Sequence, residues 1–183
     1  MRFLTIGFCI LAGVYSTSTC AIVEVLGKSH YLGNEGIMIE SKNRKLLFDP
    51  IFEKNYNKFT LVPEEIKSKI LDSEKPFNNI DVVFISHSHA DHFDAAGISK
   101  YLKYNKNIQI LAPRQAVKKL RTLPEYKLIE NQVHEISMKK GETAIEKMIN
   151  GVDIEIISIP HVGWPSRKDI ENLVYRVTVD NLT

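Results

Sequence analysis

Three histidines and one aspartate occur within six consecutive residues of this 183-residue chain, directly after a largely apolar run at residues 80–86. Side chains two residues apart point the same way on an extended backbone, so His87 and His89 can close on one ion from the end of a strand. Asp91 and His92 fall in the turn that follows and can reach a second position. Imidazole nitrogens and carboxylate oxygens are the usual ligands of zinc. The spacing therefore predicts two neighbouring metal ions, and the alternative is a set of polar surface residues.

Other stretches accompany this motif. Residues 36–48 have the pattern of two strands joined by a turn and are followed by Asp49, and residues 157–160 form a short apolar strand that leads to His161. Taken together, the His-x-His-x-Asp-His motif and these stretches resemble the metallo-β-lactamase superfamily. The segments at 160–165 and 171–177 are most similar to its branch of L-ascorbate-6-phosphate lactonase-like proteins.

The resemblance implies a fold and a set of metal ligands. The fold is an αββα sandwich of the α+β class, in which two β-sheets lie between outer helices and the metals lie at one edge. His87, His89 and His161 would hold the first metal, while Asp91 and His92 would begin the second site. Composition alone predicts only a mixture of helix and strand.

The resemblance also implies a chemistry. A bound metal lowers the pKa of water toward 7 and makes hydroxide available as a nucleophile, and Asp91 would orient that hydroxide or take its proton. We expect a hydrolase with one or two zinc ions that cleaves an ester, lactone or phosphodiester bond in a small molecule. Manganese and iron are alternatives to zinc, because ligand type discriminates weakly among these ions. The alternatives are a non-catalytic metal-binding or vestigial domain and a nuclease-like phosphodiesterase.

Some further residues have expected roles near the site. Asp49 is expected to brace the metal loop through hydrogen bonds, and Asn34 and Glu35 to line the cleft. Trp164 could wall the substrate pocket or pack against a sheet edge. His30 is interpreted as a partly exposed structural histidine, with a place near the cleft as the alternative, and His134 as a residue on a solvent face.

The resemblance implies two more metal ligands than the sequence contains. Relatives place a bridging aspartate and a final histidine after the strand that corresponds to residues 172–180, whereas this sequence ends at Thr183. We therefore expect the second site to have only two of its ligands. The chain is predicted to be a fragment of a longer protein or a truncated form with impaired metal binding.

The N-terminus has the pattern of a secretory signal peptide. One positive charge, about a dozen apolar residues and a run of small residues predict cleavage near residue 21 and a secreted or periplasmic protein. A buried strand or an uncleaved anchor is the alternative. Both cysteines, Cys9 and Cys20, lie in this segment, so residues 22–183, predicted to be one incomplete metallo-β-lactamase-like domain, can form no disulfide. Lipid attachment at Cys20 is not favoured by the residues before it.

Composition limits the classes of partner. The chain is 44% hydrophobic and 25% charged, as in an ordinary globular domain. Removal of residues 1–21 removes Arg2 alone among the charged side chains, so the 24 basic residues become 23 against 22 acidic ones, a net charge of +1. This balance argues against a nucleic-acid partner. No stable membrane span is expected after signal removal, and no oligomeric state is indicated.

Strands and helices are predicted to alternate along the chain. Pro63 and the acidic residues after it predict the start of a helix, and Asn150-Gly151 between two apolar runs predicts a hairpin. The βα alternation in the middle of the chain predicts a partly parallel sheet. The other predicted elements are strands at 22–26, 82–86, 108–111 and 172–180 and helices at 94–104 and 114–121.

Overall fold

The computed structural model describes residues 27–138, 142, 144–161, 169–180 and 183. The predicted signal peptide, Cys20, the predicted strand at 22–26 and Trp164 lie outside these residues. Within the described ranges, no helix has both the length and the apolar character needed to cross a bilayer.

Six strands form the larger sheet, and they lie side by side in chain order. The first three are antiparallel, and the third to the sixth are parallel, in agreement with the partly parallel sheet predicted from the βα alternation. Their bounds are β1 Gly27–Gly33, β2 Gly36–Ser41, β3 Lys45–Phe48, β4 Val82–Phe84, β5 Gln109–Pro113 and β6 Val133–Ile136.

Helices make the crossovers between the parallel strands, because such strands cannot be joined by a tight turn. They are α1 Glu64–Leu71, α2 Ala95–Tyr104 and α3 Arg114–Arg121, and two 3₁₀ turns, Tyr126–Leu128 and Glu130–Gln132, precede β6. Asp94 caps α2, since its side chain accepts a hydrogen bond from the backbone N–H of Gly97 at 2.6 Å.

The smaller sheet has three antiparallel strands, β7 Ile145–Ile149, β8 Val152–Ser158 and β9 Leu173–Thr178. The predicted hairpin is confirmed at its turn, where Asn150 and Gly151 have φ of 50° and 72°. These positive values are the ones that a two-residue hairpin turn demands.

Alternation along β4 divides the core into two layers. Val83 packs with the apolar faces of the helices on one side of the larger sheet, while Val82 and Phe84 pack on the other side against the smaller sheet. Ile154 and Ile156 of β8 belong to this second layer. The described residues thus form helix, sheet and sheet layers, and the expected face-to-face arrangement of two sheets is confirmed.

His134 lies on β6, a strand that was not predicted, and it is half-buried rather than on an open solvent face. Its Nε2 lies 2.7 Å from the side-chain oxygen of Gln109 on β5. Burial, followed by the charge of Lys147, lowers the pKa of His134, so the neutral imidazole is favoured. This histidine therefore has a structural role in the sheet.

Candidate metal centre

The histidine motif forms a loop at the carboxyl end of β4, where parallel sheets commonly bind ligands. Backbone hydrogen bonds hold the chain on both sides as it leaves the sheet: the Ile85 N–H donates to Leu111 at 2.9 Å, and the Leu173 N–H donates to Ser86 at 2.9 Å. The loop then closes in a turn, in which the N–H of Phe93 donates to the carbonyl of His89 at 2.9 Å. Its backbone is therefore fixed at both ends.

Two elements far apart in sequence deliver one group of three histidines. His87 and His89 come from the loop, and His161 follows β8 of the smaller sheet. One ring nitrogen from each lies within 4.8 Å of the others, and the ring centroids are 4.7 to 4.9 Å apart. Packing of the two sheets thus brings His161 to the loop as the resemblance implies.

A second group lies beside the first and shares one residue with it. His87, Asp91 and His92 also place one ligating atom each within 4.8 Å of one another. The His87 and His92 ring centroids are 3.9 Å apart. His87 and Asp91 are buried, and His92 is half-buried. The five predicted site residues therefore converge, with His87 in a shared position that the sequence did not indicate.

Asp49 braces the loop, as predicted. Its carboxylate accepts hydrogen bonds from the backbone N–H of Ser86 at 2.8 Å and from the Ser86 hydroxyl at 2.5 Å. Nδ1 of His92 lies 2.8 Å from the same carboxylate. Because Nδ1–H donates to Asp49, Nε2 is the nitrogen that carries the lone pair when the His92 ring is neutral, and it lies 3.9 Å from Asp91. Such a partner fixes both the tautomer and the orientation of a ligating histidine.

The Ser86 hydroxyl orients a second imidazole. Its single proton goes to Asp49, so its oxygen can accept the Nδ1–H of His87 at 3.0 Å. Nε2 of His87 is then left as the nitrogen with a lone pair. One carboxylate and one hydroxyl therefore set the tautomers of two histidines.

The pKa values near the loop follow from this network. Burial would lower the pKa of His92, but the hydrogen bond and charge of Asp49, with the charges of Asp91 and Glu35, raise it overall. Burial, together with the charge of Asp49, raises the pKa of Tyr175 well above its ordinary value. Tyr175 is thus a neutral phenol, and its hydroxyl donates to the carbonyl of Ile85 at 2.8 Å.

The side chains of the two groups are of the types that bind a cation. Asp91 is only 7% exposed, and its Oδ1 has no hydrogen-bond partner among the described residues. A buried carboxylate oxygen without a partner is costly unless a cation or a bound water compensates it. Neutral imidazoles and this carboxylate together are the donors that zinc, iron and manganese accept.

A cleft of about 1090 Å³ opens at the two groups. The predicted cleft residues Asn34 and Glu35 line it, as do the site residues His87, His89 and His161. Asn34 also donates from its side chain to the main-chain carbonyl of Asp91 at 3.0 Å. The ligating atoms are thus open to a small molecule on one side and held by protein on the other.

Three residues that support the site were not found from the sequence. They are Ser86, Tyr175 and Lys119, whose ammonium donates to the carbonyl of Ser88 from α3. A polar residue between the strand and the first histidine could have pointed to Ser86. Nothing in the local pattern indicates the other two, because their contacts arise from packing of distant elements.

Replacement of Asp49 with asparagine is expected to weaken both the metal site and the fold. The buried carboxylate of Asp49 accepts three hydrogen bonds. Asp49→Asn removes its negative charge and places an amide NH₂ group against one of the three donors. Loss of such a partner typically costs about 10- to 100-fold in metal affinity and about 3 kcal/mol in stability. Zinc titration and urea unfolding measure the two effects. Asp72→Asn, at an exposed position, is the matched control; equal behaviour of the two variants would contradict the bracing role.

Comparison with known proteins identifies a family for most of the chain: the model of the β-lactamase superfamily domain matches residues 44–182. A search of curated proteins found no match.

Solved structures give similar folds. A possible metal-dependent hydrolase from Veillonella parvula is 18% identical with a TM-score of 0.54, and the match covers 85% of this chain and 59% of that one. A Parabacteroides distasonis protein with a similar provisional designation is 19% identical with a TM-score of 0.50, covering 85% and 62%. The metallo-β-lactamase fold protein YhfI of Bacillus subtilis is 16% identical with a TM-score of 0.48, covering 79% and 50%. The chain thus spans less than two thirds of each.

Proposed function

Since the chain belongs to the β-lactamase superfamily and has the metallo-β-lactamase fold, we propose that it is a metal-dependent hydrolase of ester, lactone or phosphodiester bonds. The observation that carries the proposal is the pair of ligating groups that share His87 at the mouth of a cleft. A purely structural metal site would be closed by protein ligands, whereas a catalytic one keeps an open position.

The proposed ligands are the five residues of the two groups. His87, His89 and His161 would hold one ion, and Asp91 and His92 would hold a second with a share of His87. We propose zinc, with one or two ions per chain. An ion bound there lowers the pKa of water toward 7 and polarises the oxygen of the scissile bond.

The protein's own side chains orient the metal ligands and accept the proton of the attacking water. Asp49 and the Ser86 hydroxyl hold two imidazoles in one tautomer. Asp91 would offer one carboxylate oxygen to the ion and take the proton of the attacking water with the other. The cleft binds the rest of the substrate. We further propose that residues 1–21 direct export, and that the chemistry of this chain resembles that of the L-ascorbate-6-phosphate lactonase-like branch.

Chelation tests this function on the purified chain. We expect at least one zinc per chain by elemental mass spectrometry and turnover of p-nitrophenyl acetate or bis(p-nitrophenyl) phosphate. Both should disappear after a chelator is added and removed by dialysis, and zinc should restore turnover. Tightly held zinc without turnover of either substrate would favour the non-catalytic binding domain. Turnover that survives loss of the metal would overturn the proposal.

A further inference from the structure

Exposed apolar side chains are concentrated around the cleft. Ten large hydrophobic residues are exposed among the described residues, and half of them line this one cavity. The five are Ile37, Tyr56, Phe59, Ile159 and Val174. Single exposed hydrophobic residues are common on any surface, but a contiguous group around a cavity indicates that something apolar binds there.

The floor of the cleft is apolar as well. Phe48 and Phe84 stack with their ring centroids 4.7 Å apart, and Tyr175 packs against Phe84 at 4.8 Å. All three line the cavity. Phe84 lies only two residues before Ser86, so this aromatic floor begins directly beside the metal-ligating loop.

The charged lining residues and the volume of the cleft limit the kind of substrate that it can bind. Among the exposed residues that line the cavity, Lys58 and Glu35 carry one charge of each sign; the other two carboxylates that line it, Asp49 and Asp91, are buried at the histidine loop. A volume of about 1090 Å³ is at the upper end for small-molecule sites. The scissile bond and its attacking water fill only a small part of it, which leaves most of an apolar-lined cavity for the non-reacting part of the substrate.

We infer that the substrate has an apolar acyl group, which binds against Tyr56 and Phe59 while its carbonyl faces the histidine loop. The inference rests on the proposed function for the identity of the bond, but the binding of the acyl chain stands on the cleft alone. Tyr56 and Phe59 lie in the segment between β3 and α1 and are 54% and 41% exposed. They are specificity-determining residues, because they contact the chain of the substrate and not its reacting atoms.

Binding of straight-chain carboxylates tests the inference without turnover. The full chain, loaded with zinc, is titrated calorimetrically with acetate, butyrate, hexanoate and octanoate. Every ligand offers the same carboxylate to the metal, so differences in Kd report the chain alone. We expect Kd to fall with each methylene by up to about fourfold, the value for complete burial. A Kd that does not change from acetate to octanoate would overturn the inference.

Two variants and one control test whether the dependence of Kd on chain length arises in the cleft. In Tyr56→Ala and Phe59→Ala, the dependence of Kd on chain length should become shallower, while the Kd of acetate stays within about twofold. Tyr104→Ala removes another exposed tyrosine, which is 70% exposed on α2 and lies outside the cleft, and this variant should keep the full dependence of Kd on chain length. If all three variants keep it, the acyl chain binds elsewhere and the inference is wrong.

Ester hydrolysis separates this inference from the proposed function. Carboxylate affinities that rise with chain length, together with no hydrolysis of p-nitrophenyl acetate, p-nitrophenyl octanoate or bis(p-nitrophenyl) phosphate, would refute the hydrolase proposal and leave the acyl site standing. Hydrolysis with the same kcat/KM for both esters would support the hydrolase and overturn the acyl site.

Discussion

His87→Ala is expected to abolish metal binding at both positions, because this residue belongs to both ligating groups. Removal of a residue that only supports a ligand costs about 10- to 100-fold in affinity, so loss of a shared ligand should cost more than about 100-fold. Zinc per chain should fall from at least one ion to a small fraction of one, and hydrolysis of p-nitrophenyl acetate should fall to background. Elemental mass spectrometry and the esterase assay measure the two results.

The matched control is His30→Ala. His30 is half-buried on β1, where its Nε2 lies 3.6 Å from Glu40, and it belongs to neither group. This variant should retain zinc and turnover. A folded His87→Ala protein with the zinc content of His30→Ala would contradict the assignment of both groups.

Thermal stability gives an independent measure of the same change. A ligand that binds only the native state raises stability by RT ln(1 + [L]/Kd). The melting temperature of the unsubstituted protein and of His30→Ala should therefore rise with added zinc. That of His87→Ala should stay constant. A zinc-dependent rise in His87→Ala would mean that the remaining residues form a tight site without it.

The motif loop could be predicted from the sequence because it depends on residues that are adjacent in the chain. The strand before the motif, predicted at residues 82–86 and two residues shorter in the structure, and the alternation of His87 and His89 are properties of adjacent residues. Helix α3, predicted at residues 114–121, has these bounds in the structure. Asp49 and His161 were found through the family resemblance, since neither local pattern nor spacing connects them to the loop.

Other features depend on contacts between distant elements and were missed. β6 is only four residues long, and its pattern alone does not distinguish it from a loop. The shared position of His87 depends on how the loop turns after the strand. Tyr175 and Lys119 reach the loop from β9 and α3, and the apolar cleft combines residues of six separate segments. These arrangements follow from sheet packing, which sequence periodicity does not encode.

Asp91→Asn is expected to lower kcat for ester hydrolysis by about 10² to 10⁴, the typical contribution of a positioned general base. Asparagine has nearly the same size, but it cannot take a proton from water and has no charge. The hydrogen bond from Asn34 should survive, because it goes to the main-chain carbonyl of residue 91. His87, His89 and His161 are unchanged, so at least one zinc per chain should remain.

The pattern of kinetic constants distinguishes this role from a purely structural one. A proton acceptor acts in the chemical step, so kcat should fall while KM for p-nitrophenyl acetate stays within about threefold. Asp153→Asn makes the same chemical change at an exposed position on β8 and should leave both constants unaltered. If Asp91→Asn retained full kcat with zinc bound, another group would have to accept the proton. If it lost zinc completely, Asp91 would be essential to metal binding, and the three histidines would be an insufficient site by themselves.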